Sequence, residues 1–110
     1  MAFKSRTAQG QLAASAGTLV SAGSNVTITL SKVALFGEEA DTDTKLYIVP
    51  NGGSAGATNE FFRRSSIALG ELVSVPLTGI VLYSGMSLQG VSATANRINY
   101  VVSYSERTGE

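Results

Sequence analysis

With 110 residues, 44% of them hydrophobic and 15% charged, the chain is long enough for one core and too apolar for disorder. Eight basic and eight acidic residues balance to zero net charge, so nothing favours nucleic acid or an anionic membrane as a partner. Cys and His are both absent, which excludes disulfides, thiolate chemistry, the commonest general base and the commonest transition-metal ligand.

In chain order, Met1 to Thr7 reads as a polar, basic arm carrying Phe3, Lys4 and Arg6. No apolar run follows it, so no signal peptide is expected, and no stretch approaches the ~20 residues that span a bilayer. Synthesis in the cytoplasm follows. Residues 8 to 16, rich in Ala, Gly, Gln and Ser, read as a weak edge strand or an extended segment. Thr18 to Ser21 is a short strand closed by Ala22-Gly23-Ser24.

Asn25 to Phe36 is a long strand in which Val26, Ile28 and Leu30 alternate, after which Val33 and Leu35 take the opposite phase. That three-residue step predicts a β-bulge near Ser31-Lys32, or a strand that changes sheets there; the alternative keeps one phase throughout, with Lys32, Ala34 and Phe36 continuing the first face. An acidic loop follows, with Glu38, Glu39, Asp41 and Asp43. Thr44 to Val49 then forms the strand with the strongest propensity. It is apolar on both faces and therefore central, between two layers or under a neighbouring subunit. Pro50, which has no N–H, stops it, and Asn51-Gly52-Gly53 turns the chain.

Residues 59 to 69 mix Phe61-Phe62 with Arg63-Arg64 and alternate poorly. Leu72 to Leu77 is a strand with Val73, Val75 and Leu77 in phase, and Ile80 to Tyr83 is short and apolar. Met86 to Ala93 is a strand, Thr94 to Asn96 a turn. Ile98 to Tyr104 shows the clearest alternation in the chain. No segment of helical period appears. The pattern predicts an all-β, antiparallel β-sandwich or jelly roll of about seven or eight strands. The expected organisation is an N-terminal arm at 1–7, one sandwich domain at 8–106 and a C-terminal tail at 107–110. The expected core is Val26, Ile28, Leu46, Ile48, Val75, Leu77, Leu88, Ile98, Tyr100 and Val102.

Candidate chemistry is sparse. Asp41 and Asp43 alternate as Ca²⁺ ligands do, but the loop lacks the Gly and the bidentate Glu of an EF-hand, and a solvated loop is expected. Asn51 to Gly56 is Gly-rich but has no phosphate-binding Lys and no following helix, so it reads as a hairpin loop. No GxSxG elbow, no His and no SxxK appears; a carboxylate pair for glycoside chemistry stays open, but the acidic residues sit mostly in loops and termini, so a non-enzyme without cofactor or metal is expected.

Phe61-Phe62-Arg63-Arg64 leaves two readings open. Strict alternation puts one ring and one guanidinium on each face, and aromatic residues and Arg are enriched at protein interfaces. Alternatively, one ring is core, the other half-exposed, and both Arg are solvated. The candidate contact residues are Phe3, Lys4, Arg6, Phe61, Phe62, Arg63, Arg64 and Arg107.

The order Gly17-Thr18-Leu19-Val20, Val26-Thr27-Ile28, Leu46 to Gly53, Gly79 to Leu88 and Val101 to Glu106 resembles the small β-sandwich virion proteins of tailed bacteriophages. That group includes capsid decoration (cement) proteins and neck or tail components. The resemblance covers about Gly17 to Glu106 and consists of turn-and-strand patterns rather than chemical signatures. The acidic loop and the Phe-Phe-Arg-Arg cluster depart from it. It implies a structural role in the virion, with the major capsid protein or another virion protein as partner, and a homo-oligomer. The competing expectation is a jelly-roll module that binds glycans, which usually needs clustered exposed aromatics; the chain has no Trp, four Tyr and four Phe.

Overall fold

The computed structural model describes the backbone of residues 2–108 and the side chains of residues 4–108. The strands are β1 (Ala2–Gln11), β2 (Gly17–Ser21), β3 (Val26–Gly37), β4 (Thr44–Val49), β5 (Glu60–Arg64), β6 (Leu72–Pro76), β7 (Val81–Leu82), β8 (Ser87–Ser92) and β9 (Ile98–Thr108). They form two antiparallel sheets packed as a β-sandwich. Sheet A has the order β1-β9-β3-β6, with β7 also paired to β3; sheet B has the order β2-β8-β4-β5. Setting the two-residue β7 aside, the first strand pairs with the last, the second with the next to last, and so inward to the β4–β5 hairpin. A long paired ribbon rolled up in this way is a jelly roll. The strands that the sequence pattern does not mark are β5, in the poorly alternating stretch, and β7, in the short apolar segment; with them the number is nine.

Burial follows the sequence pattern where alternation is clean. In β3, Ile28 and Leu30 point into the core, the register against β9 shifts between Leu30 and Lys32, and Val33 and Leu35 point inward again. The bulge lets a twelve-residue strand keep four large aliphatics on one face despite the change of phase. In β6, Val73 and Val75 are buried while Leu72, Ser74 and Pro76 face out. Pro76 is tolerated because β6 is an edge strand. In sheet B, β4 lies between β8 and β5, and both its faces are covered: Leu46 is in the core, and Tyr47 and Val49 are buried on the other side. Gly37 ends β3 where a Cβ would fall on the carbonyl oxygen of Ala68, so no larger residue fits.

The structure corrects several expectations. Residues 2–7 are not an arm but the first part of β1, in unbroken register with Thr108 to Ser103 of β9. Their strand character comes from backbone pairing at a sheet edge, which polar side chains do not reveal. Arg107 and Thr108 belong to β9 rather than to a tail, and Gly109 and Glu110 lie outside the described residues. Of the expected core, Val26, Ile48 and Tyr100 are only partly buried and pack against it. Leu12 and Ile67 are fully buried without being marked by periodicity, because each lies in a connection where no two-residue apolar period runs.

Leu46 is completely buried at the centre of sheet B. Leu46→Ala should cost about 2–5 kcal/mol of unfolding free energy, read from urea denaturation. Ile48→Ala, at a partly exposed position, should cost clearly less; equal losses would place the core elsewhere.

Candidate interaction surface

Edge strand β5 carries the Phe-Phe-Arg-Arg cluster. Leu46 of β4 pairs with Phe62, but Tyr47 pairs with Glu60, so Phe61 is an extra residue in a bulge. The bulge resolves the conflict of two adjacent rings: Phe62 packs against the core and Phe61 is exposed. The Arg63 guanidinium grips Glu60 with two bonds, Nε to Oε2 at 3.0 Å and Nη2 to Oε1 at 3.3 Å. The hydrogen bond and charge of Glu60 hold the Arg63 pKa above its ordinary value. Arg64 donates from Nη2 to Glu71 at 2.6 Å, tying β5 to the start of β6. The Ala68 N–H draws the Glu71 carboxyl below its usual range; burial opposes it, and the charge and hydrogen bond of Arg64 leave the pKa lowered. Thus both guanidinium groups find their carboxylates within the chain.

The N-terminal candidates lie on the opposite flank, because β1 and β6 are the two edges of sheet A and β5 sits beside β6. Arg6 pairs with Glu106 of β9 at 2.8 Å, and Lys4, exposed, is in register with Glu106. Arg107 stands on the other face of β9, opposite Thr27 and the backbone of Phe3. The Phe3 side chain lies outside the described residues. The two groups of candidates therefore do not form one surface.

The acidic loop is not uniformly solvated. Asp41 is 3% exposed, and its backbone forms an isolated antiparallel bridge with Ile67. Its carboxylate accepts from Thr44 Oγ1 at 2.8 Å and from the N–H groups of Asp43 (3.2 Å), Ala93 (3.3 Å) and Thr94 (3.2 Å). The side chain thus joins the β3–β4 and β8–β9 connections, and the Asp41 backbone adds the β5–β6 connection through Ile67, at one end of the sandwich. Burial pushes the Asp41 carboxyl up, but the bonds from Thr44 and the three backbone groups outweigh it and leave the pKa lowered. Those donors occupy the oxygens that a cation would need. Among the described residues, no group of three or more acidic ligands stands close enough to hold a metal ion.

The outer face of sheet A carries the feature that alternation implied without marking it. Because Val33, Leu35, Val73, Ile98 and Val102 point inward, their neighbours point out. Leu72, Phe36, Asn99 and Gln11 then form one cross-strand row, and Ser74, Ala34, Val101 and Gln9 the next. Leu72 is 65% exposed, and Phe36 and Val101 are each 38% exposed. Leu69, 72% exposed, adds to them from the turn that leads into β6. Among the described residues, four of the six exposed large hydrophobics thus lie on or beside one end of this face; Phe61 and Tyr83 belong to other elements. Beside them, Gln9, Gly10, Gln11, Asn99, Tyr100 and Val101 line a shallow depression of about 410 Å³.

These features define a double-sheet jelly-roll sandwich that presents one flat, partly apolar sheet face. Comparison with known proteins finds no match among family models, curated proteins or solved structures.

Asp41 gives a pH-dependent prediction. A carboxylate with a lowered folded pKa contributes stability that is present above its unfolded value, about 3.9, and is lost as pH falls through the folded value. Asp41→Asn should therefore destabilise the fold by about 1–3 kcal/mol at pH 7. The gap to the parent chain should narrow as urea titrations move below about pH 4. A gap independent of pH would show that the charge contributes nothing.

Proposed function

We propose that the chain is a non-enzymatic structural protein of a tailed-bacteriophage virion, made in the host cytoplasm and assembled as a capsid decoration (cement) protein that staples neighbouring capsid subunits. The observation that carries this reading is the apolar row on the outer face of sheet A. Leaving a Leu or Phe side chain in water forfeits about 1.5–3 kcal/mol relative to burial, and a neighbouring protein surface recovers it. The face carries few charges, Lys32 and Arg107 on its strands and Glu38 bonded to Asn99 at one end, and no cluster of cations, which suits docking on another folded protein rather than on nucleic acid. The eight-strand roll is an architecture shared by viral capsid and lectin domains. The resemblance of the turn-and-strand pattern in the sequence to small phage virion proteins favours the first of these. A neck or tail component would use the same face, so placement is decided by location rather than by chemistry.

A glycan-binding module is the second reading, favoured by the amides of Gln9, Gln11 and Asn99 around the depression. Sugar rings usually stack on an exposed aromatic face, and the Tyr100 ring lies on the opposite side of the sheet, across Gly10. The virion reading therefore takes precedence.

Antibody labelling of virions that encode the chain tests placement by electron microscopy. Label over the shell supports a decoration protein, label on the neck or tail the alternative, and unlabelled virions refute both. For the surface itself, Phe36→Ser and Leu72→Ser should leave stability within about 0.5 kcal/mol at the more exposed Leu72. Both should weaken binding to isolated capsids about tenfold or more, the loss expected when an interface anchor is removed. Unchanged capsid affinity for both variants would remove this face from the interface.

A further inference from the structure

Strand β1 is an open sheet edge whose charged side chains, Lys4 and Arg6, are confined to its first half. It pairs with β9 over its whole length and with no other described strand, and it contains neither a Pro nor a bulge. Leu12 N–H bonds the Ile98 carbonyl at 2.9 Å, in the same register as the ladder. By the two-residue repeat, the even-numbered residues of β1 aim their N–H and C=O groups at β9. Phe3, Ser5, Thr7, Gln9 and Gln11 therefore aim theirs outward, where no described residue pairs with them. Such a row of donors and acceptors is a template for another strand.

We infer that the strand added there is β1 of a second copy of this chain, antiparallel, with the two-fold axis at Thr7. This inference does not depend on the virion reading. In that register Thr7 faces Thr7 of the second copy, Ser5 faces Gln9 and Phe3 faces Gln11, so every outward backbone group of one strand meets one of the other. The charges select this arrangement. All formal charge in the described side chains of β1 lies in its first half, at Lys4 and Arg6, and Glu106 already neutralises Arg6. Antiparallel pairing sets that basic half against the neutral half of the second strand, Lys4 opposite Gly10 and Arg6 opposite Ala8. Parallel pairing would set Lys4 against Lys4.

Gly10 supplies a specific acceptor. The Tyr100 ring covers its inner side, with the hydroxyl 3.0 Å from where a Cβ would be, so the phenol oxygen lies over the strand edge. No described residue bonds that hydroxyl. The ammonium of the second copy's Lys4, directly opposite Gly10, meets it. The dimer is isologous and makes one continuous eight-stranded sheet from two copies of β1-β9-β3-β6.

The chain has no cysteine, so single thiols report the register directly. Across a hydrogen-bonded antiparallel pair the Cα atoms stand about 5.5 Å apart, within disulfide range. In Thr7→Cys the two thiols meet at the axis; in Ser5→Cys they are separated by four residues of strand, about 14 Å. Under mild oxidation Thr7→Cys should become a disulfide-linked dimer while Ser5→Cys stays reduced. Sedimentation should show the parent chain associating to a dimer with rising concentration. Thr7→Pro, which removes an outward N–H and leaves the β1–β9 bonds intact, should stay monomeric with an unchanged β-sheet circular dichroism spectrum. A parent chain monomeric at every concentration, equal oxidation of the two Cys variants, or a Thr7→Pro chain that still dimerises would overturn the inference.

Discussion

The structure depends on the ladder between β3 and β9. These are the two longest strands, and they run antiparallel from Val26–Thr108 to Gly37–Ile98. The ladder joins the first third of the chain to its end, so it carries the closure entropy of a long intervening loop. Once it forms, β1 has a strand to add to on one side and β6 and β7 on the other. The inward side chains of the pair, Ile28, Leu30, Val33 and Leu35 against Ile98, Tyr100, Val102 and Tyr104, then make the floor on which sheet B packs. A jelly roll is a topology of such distant pairings, which makes folding slow relative to helical proteins of the same size.

Two irregularities let this topology accept the sequence. The bulge at Ser31 corrects the phase of β3 so that aliphatics on both sides of it face the core. The bulge at Phe61 lets one of two consecutive rings enter the core and puts the other outside. Asp41 contributes at a different level. It stabilises no sheet, but it supplies a carboxylate to backbone N–H groups of a connection that β-ladders leave unpaired. Among the described residues, no buried side-chain nitrogen or oxygen lacks a hydrogen-bond partner.

Most of the sandwich was legible because a sustained two-residue apolar period seldom arises by chance and matches the pleat of a half-buried strand. Ile98 to Tyr104, Val73 to Leu77 and the phase change at Leu30–Val33 all read correctly for that reason. What stayed hidden was held by backbone or by lone residues. Residues 2–7 form a strand mainly through main-chain pairing, Leu12 and Ile67 lie in connections without a two-residue period, and Asp41 resembles any surface acid until its donors are placed. The candidate surface was half legible. Phe61 and the two Arg are conspicuous in sequence, yet both Arg are satisfied internally. Phe36, Leu72 and Val101 are inconspicuous because each fits an ordinary strand, and only the cross-strand register brings them together.

Low charge, an apolar outer row and long edges suit a domain that lies among other proteins. In the proposed role, contact with the assembly falls on the outer face of sheet A and not on β5. Oxidative footprinting of side chains, free and within the assembly, tests this most directly. Phe36, Leu69 and Leu72 should be labelled in the free chain and protected in the assembly, with Phe61 and Tyr83 labelled in both. Protection of Phe61 with Phe36 and Leu72 still reactive would contradict the proposed contact.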